Sequence, residues 1–346
     1  MFNKPTVFID PSYSDYYQDR LFDSTNQQLN RDDGLSPFHR LHAALKDKKI
    51  CLHTADFLLK GEVVSPVNNY YSLGLLNNYM RLVGDSRVKL CGFLIMEPPV
   101  VAPHLYKALP TLTRHFERVY VHNIDGDGYS LKDVDKSKLR KFYWPQPFKD
   151  VLYAYWEKKS RLNRIVVING NHIPRSLKGQ LYSKRIHAMV NLAKLGIVDL
   201  YGRGWNKWWS HRSMWPPYWF NYKTLMSIYK GACVSKYEVL SNYRFSLCFE
   251  NMEMSGYVTE KIFDCFYTGT IPIYLGAKDI TSLIPAGAFI DMRKFNSWDE
   301  ILDFTMAMSE SDVSNMRQIG RDFIKSPAAL KYYNSLLSIF DECNLE

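Results

Sequence analysis

Two kinds of periodicity divide this chain. Short runs such as PTVFI (5–9), KICLHT (49–54), VKLCGFLIME (88–97) and RVYVHN (118–123) are apolar enough to be strands, and Pro98 and Pro99 close the third of them. Stretches of helical spacing stand between, FHRLHAALKDK (38–48) and HLYKALPTLTRHF (104–116), while SDYYQDRLFDSTNQQLNRDDG (14–34) reads as irregular surface. Strands and helices in alternation predict a parallel α/β sheet for this half. The pattern resumes at RIVVING, followed by a helix in LYSKRIHAMVNLAKLG with Leu181, Ile186, Met189, Val190 and Ala193 on one face and Gly196 at its end, and then by IVDLYGRGW. From Tyr243 to Gly276, the run YRFSLCF, the helix YVTEKIFDCFY and the apolar strand IPIYL make a βαβ unit. SLIPAGAFIDM supplies a further strand, and SWDEILDFTMAMS, SDVSNMRQIGRDFI and AALKYYNSLLSIF are three closing helices. The prolines of WPQPF (144–148) place a domain boundary near residue 150, giving domains 1–150 and 151–346.

Composition agrees with a two-domain globular protein: 346 residues, 46% hydrophobic and 23% charged, with no low-complexity tract. The net charge of +9 changes the picture, because it favours acidic partners: nucleotides, nucleic acid or anionic membrane surfaces. Residues 131–164 hold ten Lys or Arg against four Asp or Glu, interleaved with aromatics. Without the glycines and repeats of a recognition module, an interdomain connector with a solvated basic face is the preferred reading, and no nucleic-acid partner is expected. No apolar stretch reaches 18 residues, the amino terminus has neither signal-peptide nor anchor character, and no glycosylation sequon occurs. The six cysteines are scattered; Cys91, Cys248 and Cys265 fall within strands or helices and read as buried free thiols.

Candidate chemistry gathers where the βαβ unit turns. The carboxyl edge of its first strand and the amino end of its helix hold Glu250, Asn251, Tyr257, Glu260 and Lys261. Unpaired amides, the helix dipole and Lys261 favour phosphate, and Glu260 suits hydroxyls of a sugar or ribose, so a sugar attached to phosphate is the expected ligand. A favourable first-turn acid beside a solvated lysine explains the same two residues without a ligand. Glu97 ends a strongly apolar strand and is stiffened by two prolines, which suits a catalytic carboxylate, although a strand-terminal glutamate can simply face water. Five of the eight tryptophans lie between Trp205 and Trp219. Their flat faces suit sugar rings or a membrane interface, and a packed loop over the sheet is the third reading. His211 has no second His or Cys at ligand spacing, so no metal site is expected.

The string FENMEMSGYVTEKIFDCFYTGTIPIYLGA resembles the signature of the family 10 glycosyltransferases, the α1,3/4-fucosyltransferases, from which it departs at Met252, where a small polar residue is usual. The resemblance is strong from about Asn163 to Asp291. It implies the GT-B architecture, two Rossmann-like domains facing a central cleft, with acceptor bound mainly by the first and donor by the second. It further implies an inverting transfer of L-fucose from GDP-fucose to a glycan hydroxyl, O3 of a hexose or hexosamine, with no cofactor beyond that donor. Glu97 then corresponds to the general base. Arg185, in a segment resembling YSKR, corresponds to a contact of the donor diphosphate, alongside donor contacts from Glu250, Asn251, Tyr257, Glu260 and Lys261. Trp205, Trp208 and Trp209 are the candidates for the acceptor. By the same analogy the acceptor is a lipid-linked surface polysaccharide or lipopolysaccharide precursor, and the location is the cytoplasm, with peripheral association at the inner membrane face. Two other readings stand: the same scaffold with a different nucleotide sugar, and a non-catalytic basic protein that binds nucleic acid or a membrane.

Overall fold

The computed structural model describes residues 6–11, 13–63, 65–207 and 215–341. The chain divides into two compact units, one made of residues 1–147 with 331–346 and the other of 148–330. The first unit carries strands β1 (Thr6–Asp10), β2 (Cys51–Thr54), β3 (Asn68–Ser72), β4 (Val88–Leu94), β5 (Arg118–Val121) and β6 (Leu139–Lys141) in one parallel sheet of order β2-β1-β3-β4-β5-β6. Because side chains alternate across a strand, Val7 and Ile9 join Tyr71, Leu94 and Tyr120 in one core layer, and Phe8 joins Tyr70, Phe93 and Val119 in the other. Burial on both faces is what near-continuous apolar strands require.

The closing helix Ser335–Asp341 belongs to this first unit, not to the second as the boundary at residue 150 implied. Leu336, Ile339 and Phe340 enter the core layer of Tyr71, and the rings of Tyr71 and Phe340 lie 4.2 Å apart. The supposedly irregular segment 14–34 also contributes to it, through buried Leu21 and Phe22.

The second unit holds β7 (Leu162–Ile168), β8 (Val198–Tyr201), β9 (Tyr229–Gly231), β10 (Tyr243–Phe249), β11 (Ile271–Leu275) and β12 (Ile290–Asp291), again parallel, in the order β12-β11-β10-β7-β8-β9. The chain builds outward from β7 through β8 to β9, then crosses to the far side of β7 and builds outward from β10. The point where that direction reverses lies between β7 and β10, and open parallel sheets bind ligands in the crevice at such a point. Cys91, Cys248 and Cys265 are buried and unbridged. Among the described residues no helix is long and apolar enough to cross a membrane.

Candidate active site

β10 ends at Phe249, and the next residue, Glu250, is fully buried. Its carboxylate is the anchor of the turn that follows. Oε1 accepts from the Thr259 backbone N–H at 2.8 Å and from the Thr259 hydroxyl at 3.0 Å, while Oε2 lies 2.8 Å from that hydroxyl and 3.1 Å from Lys261 Nζ. Thr259 is the extended residue that starts the helix Glu260–Thr268, so Glu250 fixes both where that helix begins and where Lys261 points. Gly276 makes room for this carboxylate, since a Cβ there would lie 2.5 Å from Glu250 Cγ.

Lys261 is also held by Thr259 Oγ1 at 3.0 Å and has Glu260 Oε1 at 3.6 Å. Burial opposes its charge, yet the carboxylates of Glu250 and Glu260 outweigh burial and keep the ammonium above its ordinary pKa. Glu260 shows the complementary balance: burial pushes its carboxyl up, and the charges of Lys261 and Lys236 bring it below its usual value. Both groups are therefore ionised at neutral pH. Replacing Glu250 by alanine strands a half-enclosed ammonium and a helix-start amide. It should cost roughly 3–5 kcal/mol, read as a lowered melting temperature of the whole chain, with Glu250→Gln costing less because its amide oxygen still accepts from Thr259.

Arg185, on the helix Tyr182–Lys194, is buried against the same strand end. Its Nη2 donates to the carbonyls of Phe249 at 2.7 Å and Glu250 at 2.9 Å, and its guanidinium lies 5.4 Å from the centre of the Tyr182 ring. Its Nε is buried with no hydrogen-bond partner among the described residues. Burial lowers its pKa, opposed by Tyr182, Glu250 and Tyr257. Arg185, Glu250, Tyr257 and Lys261 are thus within electrostatic reach of one another. Asn251 follows, and its carbonyl accepts from the Leu181 N–H at 3.1 Å, next to an antiparallel bridge between Gln180 and Met252. Met252, the departure from the family pattern, is buried beside Gly179, where an added Cβ would lie 3.1 Å from its Cε. It packs inward and clips the turn to the start of the arginine helix.

A cavity of about 240 Å³ opens at the reversal point between β7 and β10, against the amino end of the Glu260–Thr268 helix. Glu260 and Lys261 line it with Asn169 and Gly170 at the end of β7, and with Lys236 and Asp264, which pair at 2.7 Å. The last four were not among the candidates. Asn169 and Gly170 were readable as the end of a strand, but only the strand order places that strand beside β10.

Trp205 is corrected. It is 2% exposed in the core of the second unit, its ring N–H donates to the Asn169 carbonyl at 2.6 Å, and its carbonyl accepts from Tyr218 at 2.6 Å, so no ring face is offered to a sugar. Trp208, Trp209 and His211 lie outside the described residues. Among the described residues no cluster of His, Cys, Asp or Glu has the geometry of a metal site.

Glu97, in the first unit, stands three residues beyond β4 and is half-buried. The backbone is pinned on each side of its Cα: Tyr106 donates to the Glu97 carbonyl at 3.0 Å, and His122 Nε2 donates to the Met96 carbonyl at 2.7 Å. Burial above all, helped by Lys141, pushes the His122 pKa down to about 4, against the hydrogen bond to Met96. Since this value lies below that of an unfolded histidine, the unfolded chain binds the extra proton first as pH falls. The contribution to stability is whole above about pH 6.5 and is lost towards pH 4, by roughly 3 kcal/mol. Denaturation at pH 7 and pH 4.5 should show His122→Gln losing less stability on acidification than the parent chain; equal losses would exclude a buried neutral imidazole.

Two parallel six-stranded α/β units, one with a charged cavity at the reversal of its strand order, are the architecture of the GT-B fold. Residues 156–318 match the model of the C-terminal domain of glycosyltransferase family 10, the fucosyltransferases. The chain is 43% identical over 70 residues to the α-(1,3)-fucosyltransferase FucT of Helicobacter pylori, a match covering 20% of this chain and 15% of that protein. It is 35% identical over 75 residues to an α-(1,4)-fucosyltransferase of Arabidopsis thaliana, covering 22% and 19%. In structure it resembles an α1,3-fucosyltransferase crystallised with GDP, at TM-score 0.51 and 15% identity over 98% of this chain and 90% of that one.

Proposed function

We propose that this chain is an inverting fucosyltransferase that moves L-fucose from GDP-fucose to a hydroxyl of a glycan acceptor, O3 of a hexose or hexosamine. The observation that carries the reading is the coincidence of the family 10 signature with the cavity at the β7/β10 reversal, walled by Glu260 and Lys261. Arg185 adds to it: its buried Nε has no hydrogen-bond partner among the described residues, which is costly, and although Arg185 stands behind the cavity lining, a diphosphate oxygen reaching it would satisfy that group.

In this mechanism the acceptor oxygen attacks the anomeric carbon of fucose from the face opposite GDP. Glu97 takes the hydroxyl proton, the bond from that carbon to the β-phosphate oxygen breaks through an oxocarbenium-like state, and the electron pair leaves with GDP. Lys261, the Arg185 guanidinium and the amino end of the Glu260–Thr268 helix stabilise the charge growing on the leaving diphosphate. Glu260 accepts from sugar or ribose hydroxyls, and Asn251 and Tyr257, which stand outside the cavity lining, support the donor side from the turn before the helix. Glu250 acts through Thr259 and Lys261, which it holds in place.

Calorimetric titration with GDP and GDP-fucose, followed by GDP release from GDP-fucose and from GDP-mannose in the presence of glycan acceptors, tests this. Micromolar GDP binding and release from GDP-fucose alone support it. Release from GDP-mannose instead would move the assignment to another nucleotide sugar, and no binding of any guanine nucleotide would overturn it.

A further inference from the structure

The first unit has a strand-order reversal of its own. The chain runs from β1 outward to β2, then returns to the other side of β1 to build β3 through β6. A cavity of about 400 Å³ opens at this point, within the size range of small-ligand sites, and it is not part of the donor cavity. It is bounded by Tyr17 and Arg20 after β1, by Asp56 and Lys60 after β2, and by Asn78 and Arg81 after β3.

Beneath these groups lies Asp10, the last residue of β1 and fully buried. Its Oδ2 accepts from Tyr70 at 2.5 Å, and its Oδ1 from Asn78 Nδ2 at 3.2 Å and from the Tyr17 hydroxyl at 3.3 Å. Asn78 Nδ2 also donates to the Tyr17 oxygen at 3.0 Å, so the two polar groups of the lining are oriented from below. One wall is equally constrained. Gln18 and Asp19 adopt left-handed backbone angles, φ 59° and 58°, which non-glycine residues rarely hold without compensation. The compensation is local: Asp19 Oδ1 accepts from the Thr54 N–H at 2.7 Å, the Asp19 N–H donates to Thr54 Oγ1 at 3.0 Å, and Asp56 accepts from the Gln18 N–H at 3.2 Å.

The charge of the rim then selects the ligand. Asp56 is committed to Thr54, Gln18 and, at 3.9 Å, Lys60, and the exposed cations of the rim are Arg20, Arg81 and Lys60, the last shared between Asp56 and Glu62 Oε1 at 3.8 Å. A prearranged pocket of hydroxyl and amide groups beneath three cations suits a sugar ring carrying a negative substituent. Glu97 follows β4, which is separated from β1 by β3 alone. At the spacing of parallel strands, the two strand ends are about 10 Å apart, a distance a short oligosaccharide spans.

We propose that this cavity binds an anionic sugar residue, bearing a carboxylate or a phosphate, of the acceptor glycan. The word acceptor rests on the fucosyl-transfer reading; the binding of an anionic sugar does not. Saturation-transfer NMR on the full chain with glucose, glucuronic acid, glucose 6-phosphate and inorganic phosphate as probes tests it, with GDP titrated in parallel. Glucuronic acid and glucose 6-phosphate are expected to bind about tenfold more tightly than glucose. Lys60→Gln with Arg81→Gln should remove that preference while the chain stays folded and GDP binding is unchanged. Loss of affinity for every sugar in Tyr17→Phe would place them in this cavity. Equal binding of glucose and its charged counterparts, a preference that survives the double variant, no saturable binding, or inorganic phosphate binding as well as glucose 6-phosphate would each overturn the proposal. Anionic-sugar binding without GDP binding would overturn the transferase reading and leave the site standing.

Discussion

Lys261→Ala is expected to abolish GDP binding and to lower fucosyl transfer by about 10³-fold, the scale seen when one preorganised stabiliser of a leaving charge is removed. The expectation follows from how the ammonium is held. Glu250 Oε2 and Thr259 Oγ1 fix Nζ at 3.1 and 3.0 Å beside the cavity, so little reorganisation is needed when a diphosphate arrives. Lys261→Arg is not a neutral exchange, because a planar guanidinium does not fit the pair of acceptors that a compact ammonium meets. Calorimetry with GDP on the alanine variant is the check. Retained micromolar binding would mean that the diphosphate lies elsewhere, and the role of Arg185 would fall with it, since the two groups share one electrostatic neighbourhood.

Glu97→Gln is expected to lower transfer by about 10³-fold while leaving GDP affinity within about twofold of the parent chain, because the substitution removes the proton acceptor and keeps the size and shape of the side chain. The half-buried position of Glu97 and its pinned backbone argue that glutamine will occupy the same place. The two variants therefore separate two functions: one loses nucleotide and transfer together, the other transfer alone. Single-turnover measurement with saturating donor distinguishes them, and normal turnover by Glu97→Gln would remove Glu97 from the mechanism.

The sequence is legible where one residue pattern serves one physical demand. β10, the helix after it and β11 were visible because strand, helix and strand differ in period, with Gly269 stopping the helix between them in a left-handed conformation. β3 was invisible because NNYYS carries two asparagines into a buried strand, where Asn68 satisfies its amide on the carbonyls of Ser65 and Arg87. SLIPAGAFIDM looked like a strand, but only Ile290 and Asp291 pair, and a short helix, Ile280–Leu283, precedes them. Glu250, Asn251, Tyr257, Glu260 and Lys261 stood out together because they fall on one turn of the sequence, whereas Arg185 lies on an earlier helix and outside that cluster. The cavities were not legible, since Asn169, Lys236 and Asp264 meet only through strand order, as do Tyr17, Asp56 and Asn78. Aromatic richness misled at Trp205, where an indole N–H had found a carbonyl inside the core.

The return of helix Ser335–Asp341 to the sheet of β1 makes the second unit an insertion within the first. On the ribosome, residues 148–330 are a continuous segment that can collapse as soon as it has emerged. The unit holding Glu97 must wait for the last helix before Tyr71, against which Phe340 packs, is covered. Removal of the helix Ser335–Asp341 would accordingly leave the second unit able to fold and expose an apolar face on the first, so that a cut after residue 334 is felt by strands more than two hundred residues earlier.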